Sequence, residues 1–258
     1  MRATESVDRV ARAIELLATT PGGLKVTEVA RGLGVHKATA SRLLATLAAH
    51  GLAERDPLSG RYGLGTRLVS LAGSAVGHLP LIAHAHPELE RLTLATSETT
   101  NLAVLDRYDV VYIHQVAPTN AIVMASWIGR RTPAHASSSG KVLLAFGDRA
   151  HVDRLLARPL VALTPRTITD PARFRAVLAD VRRVGWALSI GELEDGLVTI
   201  AAPVLVKGRP VAAVSLSGPT SRITARDHAD LTRRVVETAT AVGRRLEGKA
   251  WSRPPLPR

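Results

Sequence analysis

Residues 27–47 read TEVARGLGVHKATASRLLATL, and the fold of the N-terminal part turns on how that stretch is read. Val29, Leu33, Val35, Ala40 and Leu43 can converge between two short helices, with the small Ala30 where they cross. Gly34 supplies the left-handed backbone that a tight inter-helix turn needs. Thr27 is positioned to cap the first helix, through residue 31, and the second runs from about His36 to His50 with Gly51 closing it. The second helix turns Ala40, Leu43, Leu44 and Leu47 inward. Its other face offers Lys37, Ala38, Ser41, Arg42 and Ala45, with His36 and Thr39 at the N-terminal end. A slim face of that kind enters a major groove about 12 Å wide. Helix amides, Lys37 and Arg42 then meet phosphate, while Ser41 or His36 reaches base edges.

The spacing alone also describes a helical hairpin in a core, so its flanks decide. Upstream, a cap at Ser6 precedes Val7, Val10, Ala11, Ile14, Leu17 and Ala18, one apolar stripe ended by Pro21-Gly22-Gly23. Downstream, LAERDPLSGRYGLG reads as two extended segments about an Asp-Pro-Leu-Ser-Gly turn, with Arg55 and Arg61 on the hairpin. Three helices and a basic hairpin make a winged helix, which favours DNA.

The chain has 258 residues, 46% hydrophobic and 22% charged, with no cysteine, so disulfides, thiolate metal sites and cysteine nucleophiles are excluded. No apolar run reaches the roughly 18 residues of a membrane span, and residues 1–17 lack a signal peptide's apolar core. The expected location is cytoplasmic. The formal net charge of +12 favours polyanionic partners, yet residues 1–66 hold nine Lys/Arg against six Asp/Glu, so most of the surplus lies downstream.

Residues 66–78 read as a linker helix. Beyond Pro80 the pattern predicts a helix over 81–96 and two strands turning at Arg107-Tyr108-Asp109. A strand near 121–126 leads to a loop holding Pro133, and a helix opens at the serine run 137–139. A helix over 171–184, strands over 198–206 and 210–217, and a final helix over 224–246 follow, with a disordered tail. The expected class is α+β with a mainly antiparallel sheet flanked by helices.

AHASSSGKVLLA places hydroxyls and free helix amides where an anion is favoured, although one serine capping the helix would explain part of it. A phosphate-binding loop would need Gly where His135 stands and Ser or Thr in place of Val142, and a nucleophile elbow lacks its first glycine. Neither enzyme class fits. His135 is read as structural, His84 and His86 as surface residues. In VAAVSLSG, period two puts Val211, Ala213, Ser215 and Ser217 on one face.

In this order, the phrases SVDRVARAIELLA, VTEVARGLGVHKATASRLLATLAAHGLAERD, GRYGLGTRLVSLA, SETTNLAVLDRYDVVYI, GRRTPAHASSSGKVLLA, LTPRTITDPARF, VRRVGWALSIGELEDGLVTIAAPV and AAVSLSGPTSRIT resemble the IclR family of bacterial transcription regulators. The resemblance implies a winged helix-turn-helix over 1–65, a linker helix over 66–78 and a GAF-like effector-binding domain over 79–248, with 249–258 as tail. It implies homodimers, with dimers of dimers as a further arrangement, on palindromic double-stranded DNA operators. It also implies control by a small organic effector, a carboxylic acid or aromatic compound, with no cofactor, no metal and no enzymatic activity. Residues matching the family's effector contacts are Ser138, Ser139, Ser189, Thr199, Ser215 and Ser217, with Met124 and Trp127 in the apolar wall. The family often carries acids where this chain has Ser189 and Gly191, so only Glu192 remains. The competing reading is a small-molecule-binding or catalytic GAF-like protein whose winged helix serves protein contact.

Overall fold

The computed structural model describes residues 4–20, 22–68, 70–71, 80–118 and 126–248. The chain divides into two compact units, residues 1–79 and 80–258.

In the first unit, α1 (Glu5–Ala18), α2 (Val26–Leu33) and α3 (Lys37–Ala49) surround a core that includes Ala13, Leu17, Val29, Ala40, Leu44 and Leu47. α1 begins after Thr4, two residues earlier than a Ser6 cap requires. Thr27 lies inside the first turn of α2 and is not its cap; that terminus is closed by Glu28, whose carboxylate accepts from the Lys25 amide at 2.7 Å. Gly34 adopts φ +67°, so the amides of Gly34 and Val35 turn back onto the carbonyls of Arg31 and Ala30. After Gly51 (φ +68°) the chain forms an antiparallel hairpin, β1 (Ala53–Arg55) with β2 (Tyr62–Leu64). Tyr62 also bridges to Leu24, which seals the hairpin against the helices. Of the linker helix expected over 66–78, residues 67, 68, 70 and 71 are helical, while 69 and 72–78 lie outside the described residues, as do the tail and the strand expected near 121–126, of which only Ser126 is described.

In the second unit, β3 (Thr99–Asp106), β4 (Asp109–Val116), β5 (Arg131–Pro133), β6 (Ala187–Ile190), β7 (Leu197–Val206) and β8 (Arg209–Pro219) form one antiparallel sheet in the order β5-β4-β3-β8-β7-β6. α4 (Pro80–Thr96) and α8 (His228–Glu247) pack together and against the sheet. The other face carries α5 (Ser138–Phe146), against which α7 (Pro171–Val184) packs; α6 (Arg149–Leu156) follows α5 in the chain. With both faces covered, β7 and β8 are buried almost throughout, which is why they read as nearly continuous apolar runs.

Alternation within β3 shows which face is which. Thr100 shares a hydrogen bond with Thr93 of α4 at 2.8 Å and donates to the Leu89 carbonyl at 3.2 Å. Its neighbours Thr99 and Asn101 therefore face α5. Pro133, expected in a loop, ends the edge strand β5, opposite Asp109; an edge strand tolerates the missing N–H. Sequence periodicity misses β6 and α6. The final helix starts at His228, not at 224, because Asp227 accepts from both the amide and the hydroxyl of Thr224 and shapes a turn there.

Candidate functional site

Two arrangements stand out, one in each unit. In the first, α3 turns Ala40, Leu44 and Leu47 into the core and leaves His36, Lys37, Ala38, Ser41, Arg42 and Ala45 exposed, with Thr39 half-buried. Arg55 is exposed on β1. Arg61 departs from the expectation of a free contact. Its guanidinium donates to the Gly23 carbonyl at 2.7 Å and to Glu28 at 3.1 Å. It ties the hairpin to the start of α2, where the Lys25 amide first and Arg61 second hold the Glu28 carboxyl below the usual carboxylate range.

In the second unit the strand register gathers residues distant in sequence. Thr99, Ser217, Thr199 and Ser189 lie side by side across β3, β8, β7 and β6, and Asn101 lies opposite Ser215 in the adjacent row. All six are buried. Above them, Ser137 caps α5 by accepting from the Gly140 amide at 3.0 Å. The cap consumes one serine of the run and frees the other two. Ser138 donates to Thr199 at 2.7 Å, and Asn101 to Ser217 at 3.3 Å. The Ser139 hydroxyl and the Asn101 carbonyl oxygen are buried without a hydrogen-bond partner among the described residues. Such groups are costly unless something else satisfies them.

The close packing of α5 on the turn before it depends on Gly140. A Cβ there would sit 2.0 Å from the Ala134 carbonyl oxygen, in a short 3₁₀ turn (Ala134–Ala136). At one edge lies the buried Tyr112, whose phenol pKa is pushed up by burial. Trp127 packs edge-on to Tyr112 at 5.2 Å, with the Arg130 guanidinium 4.1 Å over its ring. It thus backs the Tyr112 wall from within the core, and its amide donates to Gln115 at 2.8 Å. Met124 lies outside the described residues.

Glu192 is not free to serve as a ligand-facing acid in the place of the two missing ones: it is paired with the buried Lys141 of α5. Burial lowers the Lys141 pKa, and the Glu192 charge opposes that shift. His135 is a buried structural histidine whose ring nitrogen donates to the Val161 carbonyl at 2.9 Å; burial holds its pKa down. Asn101 and Thr99 escaped the sequence reading. The period-two spacing of Thr99 and Asn101 in TTNLAVLD was the available signal, but only the register with β8 gives it meaning.

A family model of the IclR helix-turn-helix domain matches residues 6–57, and one of the bacterial transcriptional regulator IclR C-terminal region matches residues 73–244. The chain belongs to the IclR family of bacterial transcriptional regulators. Among its IclR relatives, the HTH-type transcriptional regulator XynR of Escherichia coli is 34% identical over 244 residues, covering 94% of this chain and 97% of that one. The transcriptional repressor IclR of the same organism is 34% identical over 224 residues, covering 85% and 82%. An IclR regulator from Alicyclobacillus acidocaldarius superposes with TM-score 0.85 at 32% identity, covering 94% and 99%. An IclR homolog from Microbacterium hydrocarbonoxydans, solved in complex with 4-hydroxybenzoate, gives 0.84 at 28%, covering 95% and 100%. The N-terminal unit is thus a helix-turn-helix DNA-binding domain, and the C-terminal unit is the α+β domain matched by the family's C-terminal model.

Proposed function

We propose that this regulator binds palindromic operators as a homodimer through α3 and the hairpin of each N-terminal unit. A small organic effector, a carboxylic acid or an aromatic compound, occupies the hydroxyl row of the C-terminal unit and biases DNA binding. His36, Lys37, Thr39, Ser41, Arg42 and Arg55 are the DNA contacts of this reading, and Arg61 holds the hairpin in place. Ser138, Ser139, Ser189, Thr199, Ser215 and Ser217 are its effector contacts, now joined by Asn101, with Trp127 behind Tyr112. The chain acts in the cytoplasm and catalyses no reaction.

One observation carries the reading: buried polar side chains from four strands and a helix converge, with the Ser139 hydroxyl and the Asn101 carbonyl oxygen left without a partner among the described residues. Buried polar atoms left unpartnered call for an explanation, and at the end of a row of hydroxyls a bound polar ligand supplies one. The 4-hydroxybenzoate complex of the Microbacterium homolog supports the ligand class, since a carboxylate suits the α5 amides and a ring suits the Tyr112 wall. An effector can act only by binding one arrangement of the paired DNA-binding units better than another.

The test is a gel-shift titration against DNA upstream of the protein's own coding sequence and of neighbouring genes, over a range of salt. Sequence-preferring binding that weakens steeply with salt is expected. Binding without sequence preference, or none, would instead favour a winged helix that contacts protein.

A further inference from the structure

Leu58, at the tip of the β1–β2 hairpin, is 97% exposed, the most exposed large apolar side chain among the described residues. On a loose loop this would mean little, but the tip is clamped. The Asp56 carboxylate accepts from the amides of Leu58 at 2.7 Å and Ser59 at 3.0 Å. Across the same turn, the Asp56 amide donates to the Arg61 carbonyl and the Gly60 amide to the Asp56 carbonyl, at 2.8 and 2.9 Å, with Gly60 at φ +68°. The base of the hairpin is then fixed by Arg61 on Gly23 and Glu28. Asp56, the acid nearest the tip, is occupied by the turn. The Arg55 guanidinium lies across it, 3.5 Å from where a Cβ on Gly60 would stand. The result is a rigid prong carrying one apolar side chain beside a positive charge.

We propose that Leu58 is an apolar wedge that enters the minor groove beside each half-site, with Arg55 on the adjoining phosphates. This rests on the DNA-binding reading above and adds a contact that the polar face of α3 does not make. One leucine covers far less area than a stable protein interface needs, so a protein partner is a poor occupant. Added to a module already held by phosphate contacts, it is enough. Leucine side chains wedged between base steps kink the duplex, and the readily deformed pyrimidine–purine steps accept them best. The wedge therefore selects sequence at positions where no hydrogen bond reads a base.

The probe is a duplex pool selected from random sequence by the wild-type chain. Binding is followed by fluorescence anisotropy at several salt concentrations and bending by circular permutation. Leu58→Ser should weaken binding roughly tenfold, reduce the bend, and leave the salt slope unchanged because no charge is lost. Leu58→Met should retain both affinity and bend. Since the side chain is exposed, both variants should melt with the wild type. If Leu58→Ser binds and bends like the wild type, the wedge is overturned and the DNA reading stands. If its loss of affinity instead tracks a changed sedimentation coefficient, the leucine makes a protein contact and the wedge is again overturned. A wild-type chain that selects no sequence overturns both.

Discussion

Replacing Glu192 by Gln keeps the shape of the side chain and removes the charge that faces Lys141. The Lys141 side chain is 2% exposed and that of Glu192 11%, so solvent cannot take over the role of the lost carboxylate. Breaking one side of a buried pair costs about 3–5 kcal/mol, because the remaining charge is stranded. The chain has one escape, which is to fold with Lys141 neutral. At pH 7 that route costs at most about 4.6 kcal/mol, from about 1.36 kcal/mol per pH unit below an unfolded lysine value near 10.4. The loss at pH 7 therefore lies between about 3 and 4.6 kcal/mol, a drop of roughly 6–18 °C in Tm for a unit of this size. The sign of the pH dependence follows. In Glu192→Gln the folded Lys141 titrates below its unfolded value, so the unfolded state binds the extra proton between the two. Stability should rise with pH in that window, recovering up to about 1.4 kcal/mol per unit toward pH 10. The natural tryptophans, Trp127, Trp186 and Trp251, all lie beyond residue 79, so their fluorescence during urea unfolding follows the C-terminal unit alone. A Lys141→Met, Glu192→Leu double variant should lose less than Glu192→Gln, since no charge is left buried. A Glu192→Gln chain within about 1 kcal/mol of wild type, with no recovery at high pH, would refute a desolvated pair.

The arginines of the N-terminal unit should separate by role. Arg42→Ala should lower operator affinity and the salt slope by about one phosphate contact without moving the melting transition, whereas Arg61→Ala should also destabilise the N-terminal unit, detectable by circular dichroism. Ser217→Leu should abolish effector binding in calorimetry while leaving DNA affinity in the absence of effector unchanged. His135 and His114 both titrate below the ordinary histidine value, chiefly through burial, with His86 adding to the effect at His114. The unfolded chain takes up these protons near pH 6.5 while the folded chain resists, so stability should fall as pH drops below about 6.5. His135→Gln, which keeps a donor for Val161 but does not titrate, should flatten that acid limb in melts between pH 7.5 and 5.5.

The readable features were those with local causes. Gly34 declares the α2–α3 turn because few other residues accept its φ of +67°, and apolar spacing alone sorts the inward and outward faces of α3. Asp170, Pro171 and Gly185 punctuate α7 at both ends, so its span of 171–184 is legible in the sequence. The serine run declares a helix start, but Ser138 finds its partner only through the approach of Thr199, 61 residues away. Non-local pairing explains the other misses. Arg61 looked like a free cation because Glu28, 33 residues earlier, gives no sequence signal of being its partner. Asn101 joined the site only through its register with Ser215 on β8. β6, at four residues, is too short for alternation to show, and Pro133 reads as a breaker until β4 offers it an edge.

The central claim is that occupation of the hydroxyl row changes the grip of the N-terminal units on DNA. Its most direct test is the affinity of the full chain for its selected duplex, measured with and without a saturating acid drawn from a thermal-shift screen of small carboxylic and aromatic acids. A shift of about 5- to 150-fold is predicted, together with its loss in Ser217→Leu. An acid that binds the wild type through this row and leaves the DNA affinity unchanged would contradict it.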